Sequence, residues 1–126
     1  DVCSSDLYRN TKTKSVIEIV FGEAVPEGYV ECFAGEVDTA QEKHVPHLEK
    51  DGTTLKVQVG SVEHPMLPEH YITAIWVELK DGTLYKQTLH ANQKPEAHFD
   101  LGSYTGELTV YEYCNLHGLW KATIEF

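Results

Sequence analysis

Ile72-Thr73-Ala74-Ile75-Trp76-Val77-Glu78-Leu79 is a run dominated by β-branched and aromatic side chains, and Lys80-Asp81-Gly82 follows it directly. Such a run reads as a strand, Asp-Gly marks a tight turn, and Thr83 to Leu89 returns as the partner, so the segment predicts a β-hairpin. Working outward, Val16 to Phe21 (VIEIVF) and Thr54 to Val59 (TLKVQV) alternate apolar with charged or polar residues, the period of a half-buried strand. Lys50-Asp51-Gly52 supplies a second turn. Glu96 to Asp100, Glu107 to Tyr113 and Lys121 to Phe126 complete a series of short strands at near-regular spacing. The pattern predicts an all-β chain folded as an antiparallel β-sandwich. Only Asp38 to Lys43 (DTAQEK) reads as helical, about one turn long, with Asp38 as its N-cap.

Composition narrows the function. The chain has 126 residues and a mass of 14.2 kDa, enough for one compact domain and a small appendage. Ten Lys and Arg against twenty Asp and Glu give a formal charge of -10, which argues against a binder of nucleic acid, whose affinity rests on phosphate neutralisation. An anionic substrate is also repelled at long range. No apolar run is long enough to span a bilayer and the N-terminus lacks a signal-peptide pattern, so the expectation is a soluble cytoplasmic protein with no membrane partner. Cys3, Cys32 and Cys114 form no closed disulfide framework. Asp1 to Leu7 (DVCSSDL) resembles the in-frame translation of a short-read sequencing adapter, GAC GTG TGC TCT TCC GAT CT, and is set aside as non-native. On that reading Cys3 has no role and the charge without Asp1 and Asp6 is -8.

Four loop segments break the strand pattern, and each carries a metal-competent side chain: Glu42-Lys43-His44-Val45-Pro46, His64-Pro65-Met66, Pro68-Glu69-His70-Tyr71 and Cys114-Asn115-Leu116-His117-Gly118. Pro65 and Pro68 stiffen the chain outside any ladder, so that His64 and His70 can turn out of the sheet toward a common point. Cys114 ends a good strand, and its spacing to His117 puts both side chains on one tight turn whose backbone N–H groups can point at the sulfur. A Cys-x-x-His pair alone is weak evidence. Together with His44, His64 and His70 in rigid loops of a β-scaffold, it is a specific proposal for a transition-metal site.

These four segments, together with Val59 to Met66 and the run on to Leu119-Trp120, resemble the iron site of the superoxide reductases, the desulfoferrodoxin and neelaredoxin family. The resemblance runs in order from about Asp38 to Trp120. It implies an immunoglobulin-like sandwich over residues 38–126. His44, His64, His70 and His117 would be equatorial nitrogen ligands of one mononuclear iron per chain, and Cys114 the axial thiolate. Five protein ligands leave one position for a small ligand on a six-coordinate metal. The implied activity is one-electron reduction of superoxide to hydrogen peroxide. An external donor, rubredoxin-like in the family, restores the ferrous state, and a homo-oligomer, dimer or tetramer, is usual. Glu42 and Lys43 match the family's mobile loop, in which the Glu binds the ferric resting state and the Lys faces the open position. Lys43 also answers the charge problem, because distant carboxylates are screened beyond roughly 8 Å while a neighbouring ammonium is not.

Two-domain relatives carry a second iron on four cysteines. Tyr8 to Glu18 resembles the Cys-x-x-Cys segment of that domain, but Asn10 and Thr13 stand where the cysteines would be. Cys32 survives alone, and one thiolate cannot hold a tetrathiolate centre. Residues 8–37 are therefore expected to be a degenerate N-terminal segment without metal, joined to the sandwich near Gly35–Asp38. Among the remaining candidates, His47, His90 and His98 read as non-ligating, Met66 as packing, and Tyr71, Trp76 and Trp120 as core or site wall. Two rival classes stay open at this point. A blue-copper electron-transfer sandwich wants two His, one Cys and a nearby Met, and Gly118 to Lys121 offers no Met. A non-enzymatic immunoglobulin-like module predicts that the histidines and Cys114 do not converge.

Overall fold

A computed structural model describes residues 7–126; Cys3 and all but the last residue of the adapter-like stretch lie outside the described residues. The strands are β1 (Leu7–Asn10), β2 (Val16–Glu18), β3 (Tyr29–Glu31), β4 (Pro46–Asp51), β5 (Thr54–Val59), β6 (Ile72–Leu79), β7 (Leu84–Thr88), β8 (Glu96–Asp100), β9 (Glu107–Cys114) and β10 (Gly118–Glu125). One helical turn, α1 (Gln41–His44), precedes β4. A four-stranded sheet, β10-β9-β6-β7, and a three-stranded sheet, β4-β5-β8, form the sandwich, and β2-β1-β3 is a separate small sheet. All the paired strands are antiparallel.

Alternation builds the core. In β5, Leu55, Val57 and Val59 point inward between half-exposed neighbours, and β8 adds Ala97 and Phe99. Ile75 and Val77 of β6 and Leu108 and Val110 of β9 meet them from the other sheet. Burying a Val, Leu, Ile or Phe side chain stabilises by roughly 1.5–3 kcal/mol, so these nine apolar residues fix both the register and the facing of the sheets. Strand β9 is unusual because its other face is covered too. Tyr111 and Tyr113 pack under Leu7 and Cys32 of the N-terminal sheet and beside Leu119. At the end of β6 next to Cys114, the pairing skips from Ile72↔Cys114 to Ala74↔Tyr113, a bulge at Thr73 whose Oγ1 donates to the Tyr113 carbonyl at 3.2 Å. The bulge sits where the strand hands over to the loops.

Several sequence expectations are corrected. The strand expected over Val16 to Phe21 stops at Glu18, and Val20 and Phe21 are 87% and 96% exposed, because no partner strand continues beside them. The helix starts at Gln41 rather than Asp38, and its N-cap is Ala40 with no side-chain hydrogen bond, so Asp38 caps nothing. Strands β1, β3 and β4 form where the sequence pattern predicts no strand. Leu7, assigned to the adapter-like stretch, is buried in β1 opposite Glu18.

Candidate metal centre

Four chain segments deliver the predicted donors to one end of the sandwich. His44 ends α1, His64 follows the turn after β5, His70 closes the loop before β6, and Cys114 and His117 flank the β9–β10 turn. The turn needs Gly118, whose φ of +80° few side chains tolerate. Between β5 and β6, Gly60 lies against the helix so closely that a Cβ there would fall 2.6 Å from the Glu42 carbonyl oxygen. The Val62 N–H donates to that same oxygen at 2.9 Å. The loop carrying His64 and the helix carrying His44 are therefore one packed unit.

The imidazoles form a closed ring of four. Centroid separations run 4.7 Å from His44 to His64, 4.7 Å to His70, 5.1 Å to His117 and 4.9 Å back to His44. Neighbouring rings are close to perpendicular, at 76° to 87°. Cys114 Sγ lies 3.6 Å from His64 Nε2 and 4.0 Å from His117 Nδ1. Donor atoms of His44, His70, Cys114 and His117 all lie within 4.8 Å of one another. Trp120 stacks on His44 at 4.9 Å and walls the site.

Proton placement shows what this ring fits. His44 Nδ1 meets the Ala40 carbonyl at 2.8 Å and His64 Nδ1 meets the Pro65 carbonyl at 2.7 Å. A carbonyl only accepts, so each neutral ring spends its one proton outward and leaves a lone pair on Nε2. Those two Nε2 atoms are 3.2 Å apart with no proton between them, and His44 Nε2 is 3.1 Å from His117 Nδ1. His70 Nε2 is buried with no hydrogen-bond partner at all. Inward lone pairs repel unless a cation stands among them. Two donors at right angles and this far apart lie roughly 2.2 Å from their shared point, close to the roughly 2.1 Å of a metal–imidazole bond. Burial is the largest cause that holds His44, His70 and, at about 4, His64 below the usual imidazole range, so the rings stay neutral and ready to ligate. Burial also pushes the Cys114 thiol up, while the N–H groups of His117 and Leu116 pull it down. The His117 N–H donates to the sulfur at 3.4 Å. A metal would take the place of the thiol proton.

Glu42 and Lys43 are exposed on α1 beside the ring, and the positive charge of Lys43 contributes to the lowered His70 pKa. His47, His90 and His98 are all exposed and outside the ring. Met66 is buried in the core, where its sulfur accepts from the Ile72 N–H at 3.4 Å. Sequence reasoning missed two residues. Asn115 ties the Cys114 turn to the His70 loop through its carboxamide. Glu112, two residues before Cys114 and on the same face of β9, is fully buried with neither carboxylate oxygen paired, and burial raises its pKa well above the usual range. An Asn after a Cys and a Glu in a strand carry no local signal of such roles.

A β-sandwich with four convergent imidazoles and one buried thiol at its end presents a nitrogen-rich, single-sulfur donor set of the kind that suits a transition metal. The desulfoferrodoxin family model matches residues 36–123, and the chain belongs to that family. It is 50% identical over 99 residues to a desulfoferrodoxin from Clostridium acetobutylicum, covering 78% of this chain and 75% of that protein. A desulfoferrodoxin from Syntrophotalea carbinolica is 41% identical over 126 residues, covering 93% and 94%. Among solved structures, the superoxide reductase from Treponema pallidum aligns with a TM-score of 0.69 at 32% identity, covering 93% of this chain and 98% of that one. Neither rival class is favoured: a blue-copper site leaves two of the four imidazoles without a role, and a metal-free module leaves their convergence without a cause.

Proposed function

We propose that the chain is a superoxide reductase: superoxide takes up one electron and two protons and leaves as hydrogen peroxide. The observation that carries the reading is the closed ring of four imidazoles, two of them held with their lone pairs inward, beside the buried Cys114 thiol. His44, His64, His70, His117 and Cys114 would hold one mononuclear iron. When bound, that iron would supply the electron that superoxide takes up. Everything else is done by the chain. The Ala40 and Pro65 carbonyls fix two imidazoles with their lone pairs inward, so little reorganisation accompanies metal entry. The N–H groups around Cys114 favour its thiolate form. Trp120 and Met66 exclude water from the buried side.

Lys43 draws the substrate anion in over the last few ångströms, where the chain's overall negative charge is screened. Glu42, next to it, would supply a carboxylate to the oxidised iron. The electron donor is a small redox protein of the rubredoxin type, and the working unit is a homo-oligomer in the cytoplasm. Residues 8–37 form a metal-free segment that covers the back of β9. This is supported by the burial of Cys32 against Tyr111 and Tyr113, and by Asn10, whose Oδ1 accepts from the Lys12 and Thr13 N–H groups at 2.9 Å each. No helix among the described residues is long and apolar enough to cross a membrane.

The test is anaerobic. One iron per chain is expected, whose reduced form is oxidised by a superoxide pulse with peroxide as product and no oxygen evolved. Stoichiometric copper or zinc in natively isolated protein, with no reaction toward superoxide, would overturn the reading. Lys43→Ala is expected to slow the second-order reaction roughly tenfold with the iron still bound. An unchanged rate would remove Lys43 from the mechanism.

A further inference from the structure

We propose that Asn115 is the positioning residue that holds His70 in the ring, an inference that rests on His70 being a metal donor. The four imidazoles are not secured alike. His44 and His64 are each oriented by a backbone carbonyl, and His117 shares a turn with Cys114. No carbonyl holds the His70 ring, and its buried Nε2 is unpartnered. Its main chain is held instead. The Leu67 and His70 N–H groups exchange hydrogen bonds with each other's carbonyls at 2.9 Å, which closes the loop on itself without attaching it to the sheet.

Asn115 makes the attachment. Its Oδ1 accepts from the Tyr71 N–H at 2.9 Å and its Nδ2 donates to the Glu69 carbonyl at 3.0 Å, so one carboxamide grips the residues on both sides of His70. The Asn115 N–H adds a third bond, to the Tyr71 carbonyl at 3.2 Å. Because Asn115 directly follows Cys114, the grip couples the sulfur donor to the imidazole that otherwise has the weakest support. Aspartate has the same shape but offers only acceptors, and it would set a carboxylate oxygen against the Glu69 carbonyl.

Cobalt(II) titration of the metal-free full chain, followed by absorbance, tests the coupling in a double-mutant cycle with His70→Ala. Asn115→Ala is expected to weaken cobalt binding roughly 10- to 100-fold when His70 is present, the range for groups that orient metal ligands, and less than about twofold when it is absent. Asn115→Asp, which keeps the bond from Tyr71, should fall between wild type and alanine. Amide hydrogen exchange at Tyr71 in the metal-free protein should quicken in Asn115→Ala. An equal loss with and without His70 would make Asn115 a general structural residue and overturn the proposal. So would unchanged affinity in Asn115→Ala while His70→Ala binds weakly, an outcome that leaves the metal centre standing. Unchanged affinity in His70→Ala would instead remove His70 from the donor set and take the proposal with it.

Discussion

Two cysteines sit in buried positions at the two ends of this chain's chemistry, and their surroundings differ in kind. Cys114 lies beside a ring of four imidazoles whose nitrogens converge. Cys32 lies under the N-terminal sheet among Leu7, Tyr111, Tyr113 and Leu119. Burial pushes both thiols up as the leading cause, so burial does not separate them. What separates them is the company of other donors: a thiol can become a ligand when nitrogens point at the same volume, and remains a small buried side chain where no such nitrogens converge. The nearby turn between β1 and β2 reinforces this, because Asn10 accepts the N–H groups of Lys12 and Thr13 itself and leaves nothing there for a metal to organise.

The sharpest way to break the comparison is to remove each sulfur. Cys114→Ala is expected to lose stoichiometric iron, whereas Cys32→Ala should retain one iron per chain with an unchanged spectrum. Elemental analysis with absorbance decides it. Iron loss from Cys32→Ala would mean that the N-terminal sheet holds or shapes a metal site after all.

A second contrast concerns buried charge. The metal end tolerates Glu112, fully buried without a partner, and the N-terminal sheet has no counterpart among its core residues. Its folded-state pKa is raised by burial, so above the ordinary carboxylate pKa the unfolded chain releases a proton that the folded chain keeps. Stability therefore falls as pH rises through that window. Glu112→Gln removes the effect. In urea unfolding of the metal-free protein, the variant should gain on wild type as pH rises above about 4.5, by at most about 1.4 kcal/mol per pH unit. Parallel stability curves would show that Glu112 is solvated or paired in solution.

The two regions also differ in how far their sequence could be read. Strands β5, β6 and β8 are visible because alternation or a β-branched run is a local property, and they appear with the expected bounds. The five donors could be proposed because prolines and the Cys-x-x-His spacing are local too. Strands β1 and β3 of the N-terminal sheet could not, because they are three or four residues long and take their identity from each other. Strand β4, Pro-His-Leu-Glu-Lys-Asp, is a mostly polar run that pairs along its whole length with β5. The Asn115 grip and the partnerless Glu112 depend on residues brought from across the sheet, for which sequence neighbours give no cue.

If the N-terminal sheet works as a hydrophobic cover for β9, its stability should rest on Leu7. Leu7→Ala removes a buried side chain from a small cluster and should cost about 2–3 kcal/mol locally. Amide exchange in β1 and β3 should quicken while iron content stays at one per chain. Simultaneous loss of iron would show that the cover and the metal centre fold as one unit rather than two.

The smallest expected effect lies in the β1–β2 turn, and it probes the same division. Asn10→Ala deletes two hydrogen bonds, but Lys12 and Thr13 are exposed, so water replaces the lost acceptor and the net cost should be about 1 kcal/mol. A buried turn organised by a metal would lose far more. Because the backbone bonds from the Asn10 N–H to the Ser15 carbonyl and from the Lys14 N–H to the Asn10 carbonyl remain, the hairpin itself should survive. Chemical denaturation measures the difference. A loss of several kcal/mol would mean that Asn10 holds the N-terminal sheet as tightly as a metal would.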